Sequence, residues 1–165
     1  MAVRLSKIAL VGAMGLLLLL IALNNITDYQ GNFRYVSHVL AMDTVFADSQ
    51  LTWRALRSPF WHRWVYATMI GTELLTALLC LVGAGRLAAA IAQTGPIFNQ
   101  RKTIAIYGLT LSCLFWLVGF MVIGGEWFTM WQSPDWNGQP SAFRFFTCGG
   151  LALIYLTSKD DPDPG

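Results

Sequence analysis

The chain has 165 residues, is 55% hydrophobic and carries charge at only 12% of its positions, about half the charged share of an ordinary soluble domain. So few charges cannot wet the surface of a soluble protein of this size, and a formal net charge of +2 offers nothing that would gather nucleic acid. The composition points to a bilayer, whose hydrocarbon core of about 30 Å is crossed by about 20 apolar residues as a helix.

Windows of that kind recur four times along the sequence. The first covers residues 8–27, between Lys7 and Asp28. Arg4 and Lys7 ahead of an apolar run imitate a signal peptide. The run is longer than an h-region of about 7 to 15 residues, however, and ends in Ala22-Leu23-Asn24 without a small-x-small site, so it reads as an uncleaved anchor. Asn25-Ile26-Thr27 fits a glycosylation sequon but lies too close to the span to be used as one.

Residues 28–63 form a polar outer loop. Within it Tyr35, Val39, Met42 and Phe46 recur at helical spacing, with Arg34, Ser37, His38, Ala41 and Asp48 on the other side. That pattern predicts an amphipathic helical segment on the outer, periplasmic interface between helices 1 and 2. A second short helix is predicted at Gln50–Arg57, capped by Asp48 or Ser49. Asp28, Asn32, His38 and Asp43 are either a solvated face with caps or part of a binding surface.

The second window, 64–85, is preceded by Ser58 as N-cap and Pro59 at the first helical position. Trp61, Trp64 and Tyr66 suit headgroup depth. The window's one charge is Glu73, which counting along this helix alone puts about 14 Å inside Trp64, near the midplane. Tyr66, Thr76, Ala77, Cys80, Gly83 and Ala84 share its side of the helix and are mostly small or hydroxylated, whereas Leu74, Leu78, Leu81 and Val82 lie opposite. The carboxyl therefore belongs inside the bundle, with Ser112, Cys113 or Thr110 within reach by depth, and leucines face lipid. Its role is either a buried hydrogen bond holding helices together or a proton, ion or ligand site.

An inner loop, 86–102, turns at Gly95-Pro96 and brings Arg101 and Lys102 to the membrane edge. The third window, 103–125, is free of charge. Beyond it the outer loop 126–139 holds Glu126, Trp127, Trp131 and Trp136, three tryptophans within ten residues. They serve either as an interfacial aromatic belt or as the floor of a shallow pocket or protein contact. The fourth window, 140–158, carries Arg144 in its first turn, where the stem can reach the headgroups.

Basic residues in short loops favour both termini on the cytoplasmic side: Arg4, Lys7, Arg86, Arg101, Lys102 and Lys159 inside, against Arg34, Arg54, Arg57 and Arg63 outside. The acidic tail counts for little in that rule. Cys80, Cys113 and Cys148 each fall within a span, at different depths, and read as small buried hydrophobes. His38 and His62 lie in an outer loop and at a helix mouth, where neither a bis-histidine haem nor a zinc site with three or four ligands is built, so no cofactor and no metal is expected. Nucleophile elbows and phosphate loops are missing from the sequence. The expected fold is an all-α membrane protein, a four-transmembrane-helix up-down bundle forming one domain.

The stretches "NNITDYQGNFRYVSHVLAMDT", "IGTELLTALL" and "GGEWFTMWQS..WNGQ..AFRFF" together resemble a proteobacterial family of unknown function catalogued as predicted small integral membrane proteins. The resemblance runs from about Asn24 to Tyr155 and implies a four-span protein of the bacterial inner membrane. It adds no cofactor and no catalytic residue. Two classes of function follow from the residues. One is a non-enzymatic binding or accessory subunit that meets a membrane protein or small ligand through its outer cap. The other is a small proton-coupled transporter or ligand carrier working through Glu73.

Overall fold

A computed structural model describes residues 1–163. Its helices are α1 (Ala2–Thr27), α2 (Tyr29–Ala41), α3 (Pro59–Ala89), α4 (Gly95–Gln100), α5 (Thr103–Leu114) and α6 (Gln139–Thr157). The helix begun as α5 continues without a break as a π-helix, Phe115–Trp127. Short 3-10 turns at Thr52–Arg54 and Met130–Gln132 punctuate the loops.

Three helices are long and apolar enough to cross a membrane: Ala2–Thr27, Pro59–Ala89 and the run Gly95–Trp127. Sidedness along them is marked. On α3 the buried residues are His62, Tyr66, Glu73, Thr76, Ala77, Cys80, Gly83, Ala84 and Leu87, whereas Leu74, Leu78 and Val82 are exposed. This is the outward-leucine arrangement of a helix whose polar and small residues meet its neighbours.

Packing follows chain order around a ring: α1 lies on α3, α3 on α5, and α5 with its π continuation on α6, which closes back onto α1. Val11, Met14, Leu18, Cys80, Leu109 and Trp116 fill the centre. Glycines set the spacing. At Gly83 a Cβ would stand 2.7 Å from the Ala105 backbone, and at Gly108 it would stand 2.8 Å from Cys80 Sγ, so α3 and α5 meet almost backbone to backbone.

The termini share one end of the bundle. There Arg4 donates to the carbonyls of Ile91 (2.7 Å), Gln93 (2.6 Å) and Pro162 (2.5 Å), and Lys7 and Lys102 both reach Asp161 Oδ2 at 2.7 Å. The tail after α6 thus crosses the end of the bundle as a strap. Reading it as three acidic residues of little consequence misses this, because the count ignores which single acid the fold buries.

Other details differ from the sequence reading. α3 starts at Pro59 with Ser58 as its N-cap residue, but extends to Ala89. Gly95-Pro96 opens α4 instead of making a turn, since a proline is well tolerated in a first helical turn. The predicted Gln50–Arg57 helix shrinks to Thr52–Arg54. Cys80 is buried, but Cys148 is exposed, because its position on α6 faces away from α5.

Candidate functional site

At the end opposite the termini, α2 folds back over α3. It stops at Ala41, where Met42 takes a left-handed conformation (φ 51°), so Phe46 lies off the helix. The buried face is Val36 and Leu40, joined by Met42, Tyr66 and Phe128. Tyr35 and Val39 pack at the edge of that cluster. The stripe read from the sequence is therefore displaced by about one residue, since the face of α2 that is buried is the one that meets α3 and Phe128.

The polar ribbons on the two sides of the cap meet. Thr44 Oγ1 donates to Ser133 Oγ at 2.8 Å, the Phe46 backbone N–H donates to Gln132 Oε1 at 3.2 Å, and Tyr35 donates its hydroxyl to Met130 Sδ. His38 pairs with both oxygens of Asp43 (3.0 and 2.9 Å) and stacks on Trp136 with ring centroids 4.6 Å apart and planes 10° from parallel. Burial pushes the Tyr35 hydroxyl up to about 12 against the opposing influence of the Gly138 backbone, so the phenol stays protonated and available as a donor.

Trp131 packs edge-on against Phe46. The Arg54 guanidinium sits over Trp127 (4.7 Å to the ring centre) and Trp53 (5.3 Å) and donates to the Trp127 carbonyl. Of the sequence-derived candidates, His38, Asp43, Trp127, Trp131 and Trp136 thus belong to the cap. Asp28 ends α1 and begins α2, its carboxyl folded over Gly31. Asn32 and Glu126 are exposed, and Arg144 turns back to Ser141 Oγ on its own helix.

Glu73 is 1% exposed. Its Oε2 accepts from Asn25 Nδ2 at 2.7 Å, and the Asn25 carbonyl accepts from the Tyr66 hydroxyl at 2.8 Å. Asn25 stands two residues before the end of α1, which puts the carboxyl toward the capped end and not at the middle. Its partner comes from α1, not from α5. Ser112, one of the residues within reach by depth, is buried beside Gly149 of α6. The sequon asparagine is thus a buried hydrogen-bond donor, and nothing in a three-residue motif distinguishes that use.

Beneath α2 lies a cavity of about 760 Å³ between the capped half of α3 and the π-helix. It forms because the π-helix packs mainly on α6, whereas α5 before it packs on α3. The walls are apolar, with Val36 and Leu40 above, Trp64 and Met69 on α3, and Gly119 and Ile123 on the π-helix. The hydroxyls that reach it are already engaged: Thr68 donates to the Trp64 carbonyl and Thr72 to the Thr68 carbonyl, each at 2.8 Å. π-helical winding puts Gly119 and Gly124, five apart, one above the other on this wall. A helical-wheel reading at 3.6 residues per turn scatters them, so this wall leaves no periodic trace in the sequence, although Trp127, one of the tryptophans read there as a pocket floor, lines the cavity.

Among the described residues, no group of three or more His, Cys, Asp or Glu side chains is placed to hold a metal ion. No curated protein and no solved structure matches the chain. The family model described as "Predicted small integral membrane protein (DUF2165)" matches residues 3–159, nearly the whole chain, and the protein belongs to that family of integral membrane proteins.

Proposed function

We propose that the protein is a non-enzymatic binding subunit of a bacterial inner membrane, with four spans and cytoplasmic termini, that holds a long apolar chain in the cavity under its periplasmic cap. In this reading α6, 19 residues long, is the fourth span, and α2 is the amphipathic element at the outer interface. The observation that carries it is the cavity itself. Its volume of about 760 Å³ is within the range of ligand pockets, about 300–1,000 Å³. With its hydroxyls engaged it offers little beyond indole N–H groups to select a polar molecule, and a half-open apolar groove of this size favours a hydrocarbon chain over water. Trp61, Trp64 and Trp127 line it at the depth where interfacial tryptophans reside, so a chain would enter sideways from the lipid.

The alternative, a proton-coupled carrier working through Glu73, requires that carboxyl to open onto the cavity, whereas it faces Asn25 on α1.

Gly119→Leu tests the proposal, because a side chain there grows into open cavity: the nearest atom to an added Cβ is Phe115 Cδ2 at 3.9 Å. Protein purified in mild detergent, exchanged and analysed by mass spectrometry should retain a chain-bearing lipid stoichiometrically, and Gly119→Leu should lose it while keeping its helicity. Equal retention by the two proteins defeats the reading.

A further inference from the structure

At the end that carries the termini, Arg4, Lys7 and Lys102 are 2%, 3% and 5% exposed, and Asp161 is 4% exposed. Both ammonium groups converge on one atom, Asp161 Oδ2, at 2.7 Å each. Both also donate to the Lys159 carbonyl, at 3.3 and 3.2 Å. One carboxylate against two buried ammoniums leaves a positive surplus, and Arg4 adds to it, since its donors go to the neutral carbonyls of Ile91, Gln93 and Pro162. Buried cations are costly without a matching anion. The surplus therefore favours an anion that brings more negative charge and more acceptor oxygens than a carboxylate does.

The cations and the anion come from different parts of the molecule. Lys7 is on α1 and Lys102 is the N-cap of α5, both anchored in the bundle. Asp161 arrives on the strap beyond α6, tied down by Asn99, whose Nδ2 donates to the Asp161 carbonyl at 3.2 Å and whose Oδ1 accepts from the Asp161 N–H at 3.0 Å. The family match ends at Lys159, so both lysines fall inside the matched region and the carboxylate falls outside it. A space of about 350 Å³ adjoins the cluster, with Arg4 and Lys7 of α1 on one side and Asp160, Asp161 and Asp163 of the strap on the other, so the acids leave it when the strap lifts and the α1 cations stay. The cluster stands where α1 and α5 begin, and at the ends of spans basic pockets between helices take anionic lipids.

We propose that Lys7 and Lys102 form a binding site for the phosphate of an anionic lipid, and that Asp161 is a built-in occupant which holds the site closed until the strap lifts. The proposal is independent of the cavity at the other end of the bundle.

The test uses the full chain in phosphatidylcholine nanodiscs, read by thermal midpoint. Wild type should shift little when phosphatidylglycerol is added, because its own carboxylate fills the site. Asp161→Ala should melt lower and regain the lost midpoint with phosphatidylglycerol but not with inorganic phosphate at equal concentration. Adding Lys7→Gln to that variant should abolish the recovery. Recovery with inorganic phosphate overturns the lipid assignment in favour of a free anion, and no recovery with either overturns the site. Should Asp161→Ala not fold, Asp161→Asn retains an acceptor, and native mass spectrometry then compares its phosphatidylglycerol adducts with those of wild type. A severalfold gain supports the proposal, and equal adducts refute it.

Discussion

Asn25 and Glu73 show how much one side chain can decide inside lipid. The carboxyl cannot turn to water, and its hydrogen bond comes from a residue 48 positions away. Truncating Asn25 to alanine leaves the buried acid without that donor, while the Tyr66 bond to the backbone carbonyl of residue 25 remains, at a loss of about 1–3 kcal/mol. Glu73→Gln keeps the shape and can still accept from Asn25, so its loss should be well under that of Asn25→Ala. Thermal midpoints in one detergent decide the matter. A Glu73→Gln protein as unstable as Asn25→Ala would mean that the acid matters for something beyond this bond. The sequence placed Glu73 inside the bundle because its α3 neighbours are small, and the structure agrees. Its partner was illegible, because asparagine before a polar loop looks the same whether it is solvated or buried.

Between elements, glycine sets the distances. A Cβ at Gly83 would stand 2.7 Å from the Cα and N of Ala105, and backbone cannot swing aside as a leucine tip can. Gly83→Ala should therefore force α3 and α5 apart and destabilise by about 1–3 kcal/mol. Gly85→Ala, two residues on with nothing within 4 Å, should be neutral or stabilise by up to about 1 kcal/mol, because glycine is a poor helix former. Unfolding of the two variants side by side checks the contrast, and equal stabilities would refute the close approach. The π-helix follows a different rule. Its wide winding carries the chain from α3 toward α6, and π turns are found disproportionately at functional sites. Hydropathy alone marks residues 103–125 as one apolar helix and is blind to the change of pitch within it.

The molecule is closed at both ends, by the aromatic and polar cap at one and by the strap at the other. Burial works against the Asp161 charge, but the hydrogen bonds and attraction of Lys102 and Lys7 outweigh it and hold the carboxyl below the usual carboxylate range. A group depressed in this way binds fewer protons folded than unfolded. Its stabilisation is complete at neutral pH, begins to fall below about pH 4 and is lost as pH drops through the folded value. Protection from hydrogen exchange at the Gly95–Gln100 segment and the tail, relative to the intrinsic rate at each pH, should therefore fall on acidification to about pH 3, and much less so in Asp161→Asn. Unchanged protection across that range would mean the ion pairs do not hold the strap.

Composition and spacing by themselves determined that this is a helical membrane protein, where its apolar runs lie, and which side of α3 faces inward. These are local, additive properties: lipid rewards an apolar run wherever the rest of the chain goes. Only the tertiary structure decided that Asn25 serves Glu73, that α2 roofs a cavity, and that one acid of the tail closes onto two lysines. Each of those depends on the relative register of helices far apart in the chain. That register is set by glycine contacts and by a change of helical pitch, neither of which leaves a periodic trace in the sequence.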